Sequence, residues 1–303
     1  MTASSAQLGI PTRDDPPVRI GVERRRPVEM LFHGVLLASL TVSVIFLIVL
    51  LVYVVQKGWP RLDSRLWTNF NSIRRPERAG AQAAIFGTLW VMALTAAIAM
   101  PTGILAAIYM EEYADNTRWW NRLIELNLQN LAAVPSIVYG ILGLGIIARQ
   151  FGLGSSVITA AITLALLVLP VVIIASREAI RAVPSSIRDG SMALGATKWQ
   201  TIWKQVLPSA VPGIATGSIL ALSRAIGEAA PLLLLGAVTF VAFNPDGLTS
   251  AYTVLPIQIY DWIRQSREEF AVLAAAGIVV LLVILLLMNS LAIYIRNRYQ
   301  KRW

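Results

Sequence analysis

Apolar residues in this chain are gathered in long runs that are separated by shorter polar intervals. A run of about 20 apolar residues crosses the hydrocarbon core of a bilayer as an α-helix, because each residue adds about 1.5 Å. The runs predict about six transmembrane helices, over 31–55, 83–109, 129–149, 156–176, 210–242 and 271–295. The pattern therefore predicts an all-α integral membrane protein.

Composition agrees with this class. Of the 303 residues, 56% are hydrophobic and 14% are charged, whereas about a quarter of the residues are charged in soluble proteins. The absence of cysteine excludes disulfides and thiolate metal sites, and the single histidine, His33, cannot form a metal centre alone. The net charge of +9 does not indicate nucleic-acid binding, because the lysines and arginines lie between the apolar runs, as they do in membrane proteins.

The distribution of positive charge predicts the orientation in the membrane. If both termini are cytoplasmic, the inner segments hold 16 Lys and Arg residues and the outer loops hold nine, which agrees with the positive-inside rule. We therefore expect a disordered cytoplasmic tail over 1–30, a transmembrane domain over 31–295 and a basic cytoplasmic C-terminus over 296–303. The outer loop 56–82 is unusually basic, and it is either a collector for an anionic ligand or a solvated surface that can dock an outside partner.

The interval 177–208 is too polar to cross a membrane and too regular to be a linker. Its pattern predicts a short amphipathic helix with Asp189 near its start, a break at Gly195, and a second helix that leads into the fifth apolar run. We expect these elements to form a compact knob on the cytoplasmic face.

This interval resembles the inner-loop motif of ABC importer permeases, in which Glu-Ala-Ala is followed by Gly and, after a spacer, by a hydrophobic residue and Leu-Pro. Gln205 takes the hydrophobic slot here, with Val206 beside it, and the first triplet keeps an acid and small side chains. The resemblance implies a coupling helix that fits into a cleft of a separate ATPase, whereas an ordinary amphipathic surface loop is the alternative. The residues implied in ATPase coupling are Asp189, Gly190, Ser191, Leu194, Gly195, Ala196, Leu207 and Pro208.

The chain contains no G-x-x-x-x-G-K-[ST] phosphate-binding loop. If ATP drives this protein, the nucleotide and its Mg²⁺ are therefore bound by another chain. We expect no cofactor and no enzymatic activity in this chain itself.

Two opposite charges, Arg224 and Glu228, lie within the apolar stretch "SRAIGEAAPLLLL" over 223–235. Helical spacing would place them on one face, and about 15 residues of helix would put Arg224 near the membrane midplane. A charge there costs about 2.5–3.5 kcal/mol, while a pair in this order returns only a few tenths of a kcal/mol in water. A buried ion pair between helices is one explanation, and an anion site is the other.

The anion site has a chemical rationale. The planar guanidinium of Arg224 can hold two oxygens of an oxyanion. Glu228 can neutralise Arg224 when no ligand is bound, or accept a hydrogen bond from hydrogenphosphate, a bond that sulfate cannot donate.

The same stretch resembles the fifth-helix signature of the phosphate-specific (Pst) importer permeases, and its Pro-Leu-Leu continuation resembles the PstA branch more than the PstC branch. The segments 131–145 and 177–202 resemble this subfamily too, although Ala229 stands where the family often has Thr. The resemblance implies a type I importer permease fold and a role for Arg224 and Glu228 in the pathway of an ATP-driven phosphate importer. The implied location of this chain is the plasma membrane. The implied partners are a PstC-like sister permease, two PstB-like ATPase subunits and an external PstS-like phosphate-binding protein.

Two more pathway candidates, Ser136 and Arg177, follow from their positions in the predicted helices. Pro135 can kink the third helix and place the Ser136 hydroxyl in the pathway, and Arg177, at the inner end of the fourth helix, can meet the leaving anion or anchor the helix at the interface. The glycines of 213–217 are expected to serve close helix packing, and those of 140–145 to serve either packing or flexibility near the gate.

Other functions stay open on the sequence alone. The same architecture can carry sulfate, molybdate or another solute, and an ion-coupled secondary carrier can use Arg224 and Glu228 as a proton-linked pair. A membrane enzyme is disfavoured, because no histidine or acidic cluster and no serine with a base meets the needs of an active site.

Overall fold

The computed structural model describes residues 27–115, 117–237 and 241–299, and the regular structure in these ranges is entirely helical. The α-helices of these ranges are α1 (Pro27–Gly58), α2 (Ser64–Thr68), α3 (Gln82–Ile108), α4 (Trp119–Ala132), α5 (Ser136–Leu142), α6 (Val157–Arg181), α7 (Ser185–Ala193), α8 (Lys198–Thr201), α9 (Leu207–Ile226), α10 (Ala230–Leu234), α11 (Leu255–Arg264) and α12 (Glu268–Tyr299). Segments of π-helix extend three of them, over Tyr109–Tyr113, Gly143–Gln150 and Ile202–Val206.

The chain divides into two units, residues 1–52 and 53–303. The described part of the first unit belongs to α1, an apolar helix of 32 residues that is roughly 48 Å long at 1.5 Å per residue. Within the described residues it runs from Pro27, so it includes residues 27–30 of the predicted tail. The rest of the predicted disordered tail, residues 1–26, and residues 300–303 of the predicted basic C-terminus lie outside the described residues.

Five helices in the described ranges are long and apolar enough to cross a membrane, namely Glu29–Arg61, Gln82–Tyr113, Val157–Arg181, Lys198–Ile226 and Glu268–Arg298. A sixth crossing is available if a bent pair of helices, Trp119–Ala132 and Ser136–Gln150, forms one span. The prediction of about six membrane helices is therefore confirmed.

The third predicted helix, 129–149, is not straight. It breaks after Ala132, and the helices on either side meet at 104°. The cause is Pro135, which lacks a backbone N–H and disfavours helical backbone in the residue before it. The hydroxyl of Tyr139 donates a hydrogen bond to the carbonyl of Leu131 over 2.9 Å and so ties the two arms together.

The core of the second unit is built around α6, which packs against α3 on one side and α9 on the other. Small residues let these helices approach closely, since a Cβ atom at Gly217 would overlap Ala175 and one at Gly213 would lie 2.7 Å from the Ala179 Cβ. The predicted packing role of 213–217 is thus confirmed. These contacts fix α9, which carries Arg224, against the rest of the unit.

The basic loop 56–82 is held partly by one of its own arginines. The guanidinium of Arg61 donates to the carbonyls of Glu77, Pro76 and Ala79 over 2.8, 3.1 and 2.8 Å. Arg61 is therefore a structural residue, and an anion-collecting role remains a prediction for the exposed arginines of this loop, Arg65, Arg74, Arg75 and Arg78.

The short helices α7 and α8, with the segments that join them to α6 and α9, form the knob, residues 182–206. They are separated at Gly195, whose φ of +84° is favourable only for glycine and a few polar residues. The prediction of two short helices is confirmed. However, α6 continues to Arg181 and α7 begins at Ser185, so Asp189 lies in the middle of α7 rather than near its start.

Candidate functional site

Arg224 lies in the last turn of α9, on the side of the helix that faces away from the core. Thr216, Leu220 and Arg224 follow one another at four-residue spacing and are all exposed, whereas Ala221 and Ala225 are buried. The Arg224 side chain is 57% exposed. Its positive charge also interacts favourably with the negative end of the helix dipole.

The predicted helix 210–242 stops at Ile226, and residues 227–229 link α9 to the short α10. Pro231 explains the stop, because its ring would collide with the carbonyl of Gly227 in a continuous helix. Glu228 therefore lies in the break. It does not share a helix face with Arg224, although the spacing alone predicted that it would. The two still form an ion pair, with Arg224 Nε and Glu228 Oε1 3.5 Å apart.

Behind this break, α10 packs on α5. The contact depends on Gly140, because a Cβ atom there would lie 2.7 Å from the Cα of Pro231. Ser136 is the first residue of α5 and is partly exposed, but its hydroxyl makes no hydrogen bond to any described residue. The structure thus places Ser136 on the helix that supports the break, without joining it to the Arg224–Glu228 pair.

Arg177 is buried beside acidic side chains. Its side chain is only 9% exposed and lies between two carboxylates, 3.2 Å from Glu125 Oε1 and 3.6 Å from Glu111 Oε2. Arg177 is thus paired with two acids in the described residues, and its predicted role at the inner end of the pathway stays a prediction. These contacts favour a role in holding helices together.

The residues predicted to couple to an ATPase differ in their exposure. Asp189, Gly190 and Leu194 are exposed on the knob, and Leu194 is the most exposed at 90%. By contrast, Leu207 is buried and lies with Pro208 in the first turn of α9, directly after the knob. These two residues therefore connect the knob to the membrane helix.

The knob's inner contacts use the remaining predicted residues. Ser191 Oγ lies 3.0 Å from Thr201 Oγ1, which joins α7 to α8. Ala196 donates its N–H to the Ser191 carbonyl across the turn at Gly195. Gln205 takes the hydrophobic position of the motif but is not buried. The next residue, Val206, is fully buried and supplies the apolar side chain instead.

Two tryptophans of the knob were not among the predicted coupling residues. Trp199 is 59% exposed and Trp203 is 43% exposed, and their ring centroids lie 5.1 Å apart. Together with Met192 and Leu194 they give the knob an exposed apolar surface, although the surrounding interval is polar. The signal was their spacing of four residues, which places both rings on one side of a helix.

Residues 99–301 match the family model described as "Binding-protein-dependent transport system inner membrane component". This range includes the break at 227–229 and the whole knob. The chain belongs to this family. It is therefore a multi-pass membrane component of a transport system.

Two relatives in this family have similar lengths. The chain is 35% identical over 240 residues to the phosphate transport system permease protein PstA 1 of Mycobacterium tuberculosis (strain ATCC 25618 / H37Rv), covering 78% of this chain and 77% of the relative. It is 31% identical over 256 residues to the phosphate transport system permease protein PstA of Yersinia pestis, covering 84% and 85%. These matches confirm the resemblance to the PstA branch.

The fold is also found in a solved transporter. A chain of a bacterial alginate ABC transporter, solved in complex with an alginate pentasaccharide-bound periplasmic protein, superposes with a TM-score of 0.66. The match covers 90% of this chain and 96% of that one at 16% identity. The predicted importer-permease fold is therefore confirmed.

Proposed function

We propose that this chain is a permease subunit of an ATP-driven importer that moves inorganic phosphate across the cell membrane into the cytoplasm. The observation that carries the proposal is Arg224, a charged and exposed side chain at the point where a membrane helix breaks. Charged residues in membrane helices face protein or a water-filled cavity rather than lipid, and irregular backbone is tolerated in the same places. The exposed side of α9 is therefore the proposed wall of the translocation pathway.

The ion pair suits hydrogenphosphate. The guanidinium of Arg224 can donate two parallel hydrogen bonds to an oxyanion. Glu228, 3.5 Å away, neutralises Arg224 between transport events and can accept a hydrogen bond from the P–OH group of hydrogenphosphate. The names of the PstA relatives point to the same substrate, so phosphate is favoured over sulfate and molybdate.

The proposed machine needs other chains. A PstC-like sister permease completes the pathway, and an external PstS-like binding protein delivers phosphate. Two PstB-like ATPase subunits bind ATP and Mg²⁺, and one of them docks on the knob at Leu194, Trp199 and Asp189, which are all exposed. In this arrangement the knob and both termini lie in the cytoplasm.

The test is ATP-dependent uptake of labelled phosphate by the complete complex in vesicles. Arg224→Ala is expected to abolish uptake while assembly and ATP hydrolysis persist. Arg122→Ala is the matched control, since Arg122 is exposed on α4, and it should transport normally. Normal uptake by Arg224→Ala would contradict the pathway role.

Competition and energy source test the substrate and the driving force. Uptake that sulfate blocks and phosphate leaves unaffected would replace the proposed substrate. Uptake that persists without ATP and collapses with the proton gradient would indicate an ion-coupled carrier.

A further inference from the structure

A compact pair of charges joins the knob to the end of α3. Glu112, in the π-helical turn Tyr109–Tyr113, accepts two hydrogen bonds from Arg188 of α7, over 3.1 Å from Nε and 2.9 Å from Nη2. The side chains are 9% and 20% exposed. Their burial makes this contact stronger and less screened than a surface ion pair.

The same guanidinium also reaches α6. Arg188 donates to the carbonyls of Ile180 over 2.8 Å and Val183 over 2.6 Å. The Ile180 carbonyl lies in the last turn of α6 and also accepts from the Val183 N–H, while the Val183 carbonyl belongs to the turn that follows α6. One side chain therefore connects α3, α6 and α7.

The neighbouring acid extends the contact to the membrane side. Glu111 accepts two hydrogen bonds from Arg181, both over 3.0 Å, and lies 3.6 Å from Arg177. Arg177 in turn donates to Glu125 of α4 over 3.2 Å. The two consecutive acids thus point to different partners, Glu111 to the end of α6 and Glu112 to the knob.

A motion of the knob passes to the membrane helices by covalent links and by side-chain contacts, which include an apolar cluster of knob residues with the ends of α3 and α6. One covalent link is direct, because α8 continues without interruption into α9, the helix that carries Arg224, as the span Lys198–Ile226. The other is the turn 182–184 between α6 and α7, and no covalent link joins α7 to α3 directly. A turn can bend under load, whereas the fork of Arg188 fixes α7 to both helices at once.

We propose that Glu112 and Arg188 are positioning residues that make α3 and α6 move with the knob when the ATPase displaces it. Without this pair, the motion of the knob reaches α3 and α6 less completely, and ATP is hydrolysed with less transport. The inference rests on the proposed function, because it assumes that an ATPase displaces the knob. The contacts themselves do not depend on which solute is carried.

Glu112→Gln tests this inference in the complete complex with its binding protein, because it removes the charge and keeps the shape. Solute moved per ATP is expected to fall about 5-fold or more, the usual range of coupling between sites, with basal ATP hydrolysis and assembly retained. Amide hydrogen exchange should rise over 185–194. Glu112→Asp, which keeps the charge, should recover most of the transport ratio.

The matched control is Glu178→Gln. Glu178 pairs with Arg181 within a single helix, 3.2 Å apart, and is 65% exposed, so its loss should change neither the ratio nor the exchange. If Glu112→Gln does not assemble, Arg188→Lys gives the same test, since lysine keeps the charge but loses the fork. Its transport ratio should fall in the same way.

A wild-type transport ratio in Glu112→Gln, or in Arg188→Lys, overturns the inference. So does faster exchange over 185–194 with an unchanged ratio, because the pair would then hold the knob without transmitting its motion. A wild-type complex that moves another solute instead of phosphate would fail only the proposed function. The two failures can be told apart, because ATP hydrolysis and hydrogen exchange are measured without phosphate. The amount of solute moved per ATP can then be measured with whichever solute the complex transports.

Discussion

The Ser223 hydroxyl lies 2.6 Å from Oδ1 of Asn289, which joins α9 to α12 one residue before Arg224. The same hydroxyl lies 2.7 Å from the Ile219 carbonyl of its own helix. A polar contact between two membrane helices fixes their relative rotation, because few other polar groups can replace it in lipid. It therefore sets the direction in which Arg224 points.

Asn289→Leu should turn α9 slightly and weaken phosphate capture by Arg224. Contacts of this kind contribute about 0.6 kcal/mol on average and up to about 1.7 kcal/mol, so we expect a rise of a few-fold in the phosphate concentration for half-maximal uptake. A double-mutant cycle with Ser223→Ala measures the pair itself. Strict additivity of the two variants would show that this contact does not position Arg224.

Glu228→Gln should remove discrimination against sulfate. The glutamate can accept a hydrogen bond from the P–OH group of hydrogenphosphate but meets only acceptor oxygens on sulfate, whereas glutamine also offers N–H donors to sulfate. We expect sulfate to inhibit labelled phosphate uptake in this variant much more than in the wild type.

The matched control is Glu77→Gln, in an exposed position of the loop 56–82, which should keep wild-type selectivity. If sulfate inhibits Glu228→Gln and the wild type equally, Glu228 does not select the substrate and only neutralises Arg224.

The positions of the membrane helices could be predicted because lipid imposes a simple demand, about 20 apolar residues for each crossing. The two breaks could not be predicted in the same way. Residues 133–135 and 227–229 are small or apolar apart from Glu228, so hydropathy runs straight through them. Pro135 and Pro231 were the available signals, and they indicated a kink without showing whether the helix bends or stops.

The ion-pair network could not be predicted from the sequence for a different reason. Glu112 and Arg188 are 76 residues apart, and Arg177 and Glu125 are 52 apart, so no local period connects them. The prediction for Arg177 rested only on its position in its own helix. Its carboxylate partners come from the turn after α3 and from α4, which only the packing of the helices brings together.

Gly140→Ala should destabilise the support behind the broken helix. The new Cβ atom would lie 2.7 Å from Pro231 Cα and 2.9 Å from the Pro231 carbonyl oxygen, which are backbone atoms that cannot turn aside. Overpacking of this kind costs about 1–3 kcal/mol, so the thermal unfolding midpoint of the purified complex should fall.

Gly145→Ala is the matched control for this substitution. Gly145 lies in the π-helical extension of α5 and has no atom within 4 Å of its Cβ position. Equal midpoints for the two variants would mean that α5 and α10 can separate without loss, and that the break does not rely on this contact.

Gly195 tests whether the knob depends on backbone geometry. Its φ is +84° and a Cβ atom there meets nothing within 4 Å, so a new side chain has space and only the backbone opposes it. Asparagine tolerates the left-handed region, whereas a β-branched residue does not. Gly195→Val is therefore expected to distort the turn that presents Leu194 and to reduce copurification of the ATPase, while Gly195→Asn retains most of it.

This pair of variants separates two explanations that a single substitution would confuse. If both lose the ATPase, the surface at Gly195 is itself in contact with the partner, and the added side chain blocks docking. If both keep it, the left-handed turn is not needed for docking. Only loss in Gly195→Val with retention in Gly195→Asn shows that the glycine acts through the conformation of the turn.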